Sequence, residues 1–397
     1  MPDTADVVVV GGGIVGAATA YLLAKEGLEV CILERASIGS GSTGHGHGVI
    51  SLVGKDFRPG PHFALGVAGA RRYPQFIESL REDSEIDPLY HELDGISLAI
   101  VETEEQIFRE VLEREETRSE VEMRWIGMED ARELEPRLTE DAIGGVLYRH
   151  GQVDGYRMTL AAVDAVERMK GRVLLRKATG LLRDGERVVG VKHTDGSISC
   201  GDVILAPGAW CGPAADWIGF PIPVRPLHGE VLHVLLPGEP MKVFVLTALH
   251  GPILPRKDGI LMVGSIGGVT MSGMDVDVKH VFDPLDPTSP EFDDEPKEEN
   301  RDYMITRALR VMPAIAEAEL VAHLAGVRPL SADRMPLIGP VPGLEHAFLA
   351  TGHGTKGIHL APITAEIVTD LVAGREVAAP LQLEPFLPER FAFARTG

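Results

Sequence analysis

Short unbroken apolar runs and longer amphipathic stretches alternate along the chain. Val7-Val8-Val9-Val10 follows Asp6, and four β-branched residues in a row predict a strand buried on both faces. Gly11-Gly12-Gly13-Ile14-Val15-Gly16 then opens an apolar helix over residues 17–24, and a second strand over 29–33 ends at Glu34. Glycines at 11, 13 and 16 have the G-x-G-x-x-G spacing. The first allows a tight turn, the second lets a pyrophosphate approach the backbone, and the third lets helix pack on strand. The helix N-terminus would face the phosphates, and the Glu34 carboxylate, about 20 residues on, would accept from a ribose hydroxyl.

Further along, helical spacing predicts helices at 61–80, 156–170, 302–312 and 361–372. A charged helix at 102–120 reads as a solvated face. An acidic turn is expected at 83–88. Strand patterns fall at 95–101, 143–149, 172–175, 178–181, 202–205 and 347–350, with a hairpin through Asp184-Gly185 and Asp195-Gly196. Residues 230–235, 243–246, 253–255 and 260–263 predict a mostly antiparallel sheet. Residues 269–300, rich in acids and proline, predict a long mobile loop that could act as a lid. There is no internal repeat. Segments of α/β character bracket segments of sheet, so two interleaved domains are expected. A Rossmann-type dinucleotide-binding domain is built from 1–85, 150–215 and 320–380. An α+β substrate domain on a mostly antiparallel sheet comes from 86–149 and 216–319, and a tail covers 381–397.

The 397 residues suffice for two or three compact units. Residues 7–24 carry no charge, but the preceding segment has two aspartates and no Lys or Arg, and three glycines interrupt the run. A membrane span or secretion signal is therefore rejected. The net charge of −21 argues against nucleic acid and anionic membranes as partners. Cys31, Cys200 and Cys211 are odd in number and lack metal-ligand spacing, so they read as reduced packing residues in a cytoplasmic protein without a metal site.

Three later segments return to small residues beside strands. They are Ser40-Gly41-Ser42-Thr43-Gly44-His45-Gly46-His47-Gly48, Ala206-Pro207-Gly208-Ala209-Trp210, and Gly326-Val327-Arg328-Pro329 with Gly352-His353-Gly354-Thr355-Lys356-Gly357. With the first glycine turn, these motifs resemble the D-amino-acid oxidase superfamily of flavoproteins, its glycine oxidase and sarcosine oxidase branch in particular. The likeness extends from Val7 to about Val372. It implies an FAD enzyme that oxidises a small amino acid or N-methyl amine bearing a carboxylate, by hydride transfer to flavin N5, with O2 or another electron acceptor. The imine product then hydrolyses.

The resemblance carries roles onto individual residues. Gly11, Gly13, Ile14, Val15, Gly16, Glu34 and Arg35 would hold the ADP half, Ser42 and Thr43 the pyrophosphate and ribityl groups, and Ala178 the adenine. Gly208, Trp210, Gly352, Gly354 and Thr355 would lie close to the flavin. Arg328, in the place of the glycine oxidase arginine, would hold the substrate carboxylate together with Lys356. Arg328 also stands where sarcosine oxidase has its flavin-bonded cysteine, so attachment through cysteine is not expected. Ser-Gly-Ser-Thr-Gly-His is similar to the segment of dimethylglycine dehydrogenase whose histidine carries the flavin, except that Gly44 replaces a tryptophan. His45 is thus either the covalent attachment point or a noncovalent neighbour, and His47 and Gly48 lie beside it. His45, His47 and His353 are candidates to favour the neutral amine. Met262 occupies the place of the oxygen-reactive lysine of sarcosine oxidase, with Lys257 upstream. Two alternatives are a 2-hydroxyacid oxidoreductase of the same superfamily and a flavin subunit of a larger electron-transfer assembly. Oligomeric state is open.

Overall fold

The four opening valines are buried because each neighbour in the run faces a different core. Val7 and Val9 pack into one apolar cluster and Val8 and Val10 into another, as alternation along a strand requires. The structure is a computed structural model that describes residues 3–53, 57–266, 294–377 and 381–395. The chain opens with β1 (Asp3–Val10), α1 (Ile14–Lys25), β2 (Val30–Glu34), β3 (Val49–Ile50), α2 (Pro61–Asp83) and β4 (His91–Ala99). Next come α3 (Glu102–Glu113), α4 (Glu115–Arg118), β5 (Met123–Ile126), α5 (Met128–Leu134), β6 (Gly144–Gln152) and α6 (Gly155–Arg168). The middle of the chain holds β7 (Arg172–Leu175), β8 (Ala178–Asp184), β9 (Arg187–His193), β10 (Gly196–Leu205) and α7 (Cys211–Ile218). Last are β11 (Val224–Leu235), β12 (Val243–Thr247), β13 (Gly251–Pro255), β14 (Leu261–Ile266), α8 (Glu298–Val311), β15 (Glu319–Ser331), β16 (Leu337–Pro340), β17 (Ala347–Thr351) and α9 (Gly357–Val372).

Two sheets organise these elements. The first runs β16-β17-β10-β1-β2-β7, with β9 and β8 extending from β10. Its central pairs, β17 with β10, β10 with β1, β1 with β2 and β2 with β7, are all parallel. One face is covered by α1, α2, α6 and α9 and the other by α7 and the β8–β9 hairpin. The uncharged run over residues 7–24 is therefore a buried strand and the fully packed α1. The second sheet runs β15-β11-β14-β13-β12-β4-β6-β3, with β5 on β6. It is antiparallel except for β12 beside β4, so the expected fold class, a parallel α/β sheet interleaved with a mostly antiparallel one, describes the molecule.

The structure differs from expectation in three places. The helix over 102–120 breaks at Arg114, whose ψ of 108° is extended, leaving α3 and α4. That helix is not merely a solvated face: Ile107, Phe108 and Val111 are buried, and so is the Glu104 carboxylate. Glu104 accepts from the amides of Ile100 (2.9 Å) and Leu249 (2.8 Å), so an acid tethers α3 to two sheet connections. β15, expected within a dinucleotide-binding segment over 320–380, is an edge strand of the second sheet and pairs with β11 along its length. The predicted helix at 302–312 starts earlier, at Glu298. Most of the predicted lid at 269–300 lies outside the described residues.

The turn after β1 depends on two close backbone approaches. Gly11 has φ +116°, and a Cβ there would stand 2.2 Å from the Ala206 carbonyl oxygen; one on Gly16 would stand 2.0 Å from the Gly11 carbonyl oxygen. Neither contact can be relieved by a side-chain rotation. Gly16→Ala is therefore expected to lower stability by about 2 kcal/mol or more and to abolish flavin retention. Gly212→Ala, inside α7 where a Cβ meets nothing within 4 Å, is expected to leave stability unchanged or raise it by up to about 1 kcal/mol. Denaturant unfolding midpoints of the two variants check both.

Candidate functional site

A cavity of about 260 Å³ follows the parallel sheet from the β1 turn to the start of α9. Gly13 caps α1 without a side-chain bond, and no acid lies in the first turn, so the positive end of the helix opens on this space. Thr43 Oγ1 takes one first-turn amide, that of Ile14, at 3.2 Å. Glu34 accepts from the amides of Gly12 and Ala36, both at 2.8 Å. An ionised carboxylate has further lone pairs to offer hydroxyls on the cavity side. The Arg35 guanidinium lies over the Trp210 ring, 4.0 Å from its centroid, and the two form part of the cavity wall. Gly208, at φ +58°, turns the chain there and is held by the Thr351 hydroxyl, which donates to its carbonyl at 2.7 Å.

The expected residues Gly11, Gly13, Ile14, Val15, Gly16, Ser42, Thr43, Ala178, Gly354 and Thr355 also line this cavity. Gly352 does not. At φ +77° it makes a tight turn in which a Cβ would collide with Leu337, Ser331 and Val224, so its place is structural. Lys177, Pro213 and Trp217 line the cavity and were not anticipated. Nothing in their local sequence marks them, since they converge only when α7 and the β7–β8 connection fold against the turn.

A second cavity, of about 200 Å³, shares Arg328, Thr355, Gly46 and Ile358 with the first. His45, His47, Gly48, Arg328 and Lys356 all reach it, so the structure brings together most of the expected reactive side chains. Arg328 comes from β15 and lies across the backbone of β11. A Cβ on Gly229 would stand 1.9 Å from its Nη1, so only glycine leaves room. Its Nη1 donates to the carbonyls of His228 (3.3 Å) and Ile266 (3.4 Å). Lys356 Nζ lies 5.2 Å from the Phe57 ring centroid. His45 packs on Gly326, where a Cβ would stand 2.8 Å from its Nδ1. Gly48, at φ +68°, lies so near the Val153 carbonyl that no Cβ fits. Tyr148, Phe244, Leu246 and Pro252 also line the cavity. These four were not identified, although Phe244 and Leu246 follow the two-residue period of one strand face.

Among the described residues that line this second cavity, Arg328 and Lys356 bring positive charge. No carboxylate lines it among the described residues. Burial, reinforced by Arg328, His233 and Lys356, pushes His47 down to about 3; burial also lowers His45. His47 is thus a neutral imidazole between two cations. His353 is pushed down to about 3, chiefly by burial, and its Nε2 bonds the Thr364 hydroxyl of α9 at 3.0 Å. His353 also lines the first cavity, where that bond holds it and burial keeps it a neutral imidazole. A third, polar cavity of about 140 Å³ borders His47, Gln152, Lys257 and Met262.

FAD fits the chain's own residues. The helix amides and Glu34 match an adenosine diphosphate, and the wide apolar wall at Trp210 and Trp217 matches a flat ligand. His45 Nδ1 and His47 Nε2 are buried without a hydrogen-bond partner among the described residues, as donors or acceptors facing a missing polar ring would be. No group of three or more His, Cys, Asp or Glu side chains among the described residues could hold a metal ion. No described helix is long and apolar enough to cross a membrane.

Buried neutral histidines tie stability to pH. His353 stays neutral down to about 3 and His150, also buried, down to about 4, whereas an unfolded histidine titrates near ~6.5. The unfolded chain therefore binds more protons in between. Stability from these groups is complete above ~6.5 and is lost as pH falls toward their folded values. His353→Gln is expected to reduce proton uptake on unfolding by about one at pH 5, which denaturant midpoints measured between pH 5 and 7 will show as a shallower slope.

The comparisons with known proteins agree along the whole chain. Residues 6–371 match the family described as "FAD dependent oxidoreductase" (DAO). A glycine oxidase of Pseudomonas aeruginosa is 31% identical over 93% of this chain and 95% of its own length. A hydrogen cyanide synthase subunit of Pseudomonas protegens is 30% identical, over 98% of this chain and 97% of its own. Among solved structures, glycine oxidase from Geobacillus kaustophilus superposes with a TM-score of 0.85 at 28% identity, covering 98% of this chain and 99% of that one.

Proposed function

The chain belongs to the DAO family of FAD-dependent oxidoreductases and acts on CH–NH donors, and from that premise we propose that it oxidises an amino acid or N-alkyl amino acid at the carbon–nitrogen bond next to a carboxylate. The observation that carries this reading is the convergence of Arg328 and Lys356 on one cavity that no described carboxylate lines. When bound, FAD supplies the two-electron acceptor for the substrate hydride. Gly11, Gly13, Gly16, Glu34, Thr43 and Trp210 would hold it.

The Arg328 fork takes the substrate carboxylate in a bidentate pair, and Lys356 adds a second charge. That fixes the α-carbon and nitrogen relative to the wall of His45 and His47. The two cations also act on the amine. In their field an ammonium is disfavoured and the neutral amine favoured, which is the form able to release hydride. His47, neutral at all working pH values, offers Nε2 for a hydrogen bond without adding or removing charge. Residues of the second sheet line this cavity, and the water that bound substrate and flavin would displace from it strengthens these interactions.

The proposal includes noncovalent FAD. Gly44 replaces the tryptophan of the covalent pattern, and the His45 ring is pressed on the β15 backbone at Gly326. Acid precipitation is expected to leave the yellow colour in the supernatant; colour in the pellet would establish covalent attachment.

Lys356→Ala is expected to raise KM for carboxylate substrates at least tenfold with flavin content within twofold of wild type, and Arg328→Lys to raise it further, because a point charge cannot replace the fork. Equal loss of flavin and affinity would contradict the assigned roles. The acid limb of kcat, which reports the bound substrate, is expected at lower pH than that of kcat/KM, which reports the free one. The decisive experiment is a panel of amines and 2-hydroxyacids mixed anaerobically with the holoenzyme and read by flavin bleaching. Bleaching by hydroxyacids alone would overturn the proposed function.

A further inference from the structure

From the apolar side chains that line the same cavity as the carboxylate clamp, we infer that the preferred substrate carries an apolar group of about three to four carbons on its α-carbon or nitrogen, seated against Phe244, Leu246 and Pro252. This rests on the proposed clamp at Arg328 and Lys356. Glycine and sarcosine have no group to place on Phe244, Leu246 and Pro252. The cavity volume is about 200 Å³, of which the flavin would take the part beside His45 and His47 and leave the part beside these three residues to the substrate.

That apolar wall is built rather than incidental. Phe244 and Leu246 are two residues apart on β12 and so share a face. Pro252 of β13 stands directly opposite Leu246 in the antiparallel register, so the two form one cross-strand apolar pair. Phe244 is held edge-on by His150, with centroids 5.0 Å apart. Val49 and Val53, from the connection after the glycine-rich loop, close the side. A substrate that stopped at its α-carbon would leave this surface facing water or empty space. Each methylene seated there raises kcat/KM by roughly fourfold to tenfold.

The same wall sets limits on chemistry. A basic side chain would find no carboxylate among the described lining residues. An acidic one would have to compete with the α-carboxylate for Arg328 and Lys356. Apolar groups meet neither penalty. A group on nitrogen and a group on the α-carbon present the same chemistry to this surface, and the two are separated only by testing both.

The experiment uses the reconstituted holoenzyme without oxygen. Glycine, sarcosine, N-propylglycine, glutamate, lysine and both enantiomers of alanine, norvaline and leucine are compared by the rate of flavin bleaching. At least one of norvaline, leucine or N-propylglycine is expected to exceed glycine and sarcosine at least tenfold in kcat/KM, with glutamate and lysine slower than all three. Leu246→Trp fills the wall and is expected to lower the ratio of kcat/KM between that substrate and glycine at least tenfold. The ratio is internal to each preparation, and Leu246→Phe serves as a milder second variant if tryptophan prevents folding. Glycine or sarcosine bleaching as fast as every larger amine overturns this inference alone, as does a ratio unmoved in both variants. Bleaching by no amine in the panel overturns the proposed function and this inference with it.

Discussion

The structure depends on how closely three backbones meet where β1 becomes α1. The Gly11 carbonyl fills the space a Cβ on Gly16 would occupy, and the Ala206 carbonyl fills the space beside Gly11. Those contacts set helix against strand, and strand β1 against the end of β10. Because β10 also pairs with β17, they indirectly place the turn that follows β17. The glycines are thus less a ligand motif than the closest-packed point of the fold, and the nucleotide cleft is the concavity left around it.

Charge is distributed in two tiers. The chain as a whole carries −21, while the proposed substrate cavity holds two cations, neutral histidines and no described carboxylate. The molecule can therefore repel anions at long range and still favour one at short range. Salt screens the first effect more than the second, because the contacts of the clamp are far shorter than the Debye length. Neutrality of His47 is part of this arrangement: a third positive charge there would be disfavoured by its burial and by both neighbours.

Much of the fold was legible along the chain. The apolar ends of β1 and β10, over residues 7–10 and 203–205, announce themselves with β2 and β17 because both faces are buried there and short apolar runs mark them. The glycine turn is legible because its spacing has one mechanical meaning. Arg328 and Lys356 stood out through a family likeness, and they fall in one cavity. β15 was hidden, since its first half is exposed and interrupted by a histidine, so its pattern lacks a clean period. Glu104 was hidden among the other acids of its helix; only the amides of Ile100 and Leu249, one of them far away in sequence, distinguish it. The walls at Phe244, Leu246 and Pro252 could not be read as a site at all, because a strand face looks the same whether it meets a core or a cavity. His353, read from the same motif, lines the first cavity with Gly354 and Thr355, and its Nε2 also bonds a helix hydroxyl that no sequence pattern announces.

The order of the parallel sheet has a consequence for synthesis of the protein. β1 is made before the rest of its sheet, yet one of its two neighbours, β10, begins only at Gly196, and β17 follows at Ala347. Until then β1 and β2 are an apolar pair with an open edge, the arrangement most prone to pair with another chain. The last piece, α9, closes the helical face of the sheet and immediately follows the turn that bears Lys356. A truncated nascent chain therefore holds the nucleotide turn without the cleft that makes it useful. Flavin loading is deferred until α9 has been made, and the chain's exposure to aggregation is set by the time that separates β1 from β10 and β17.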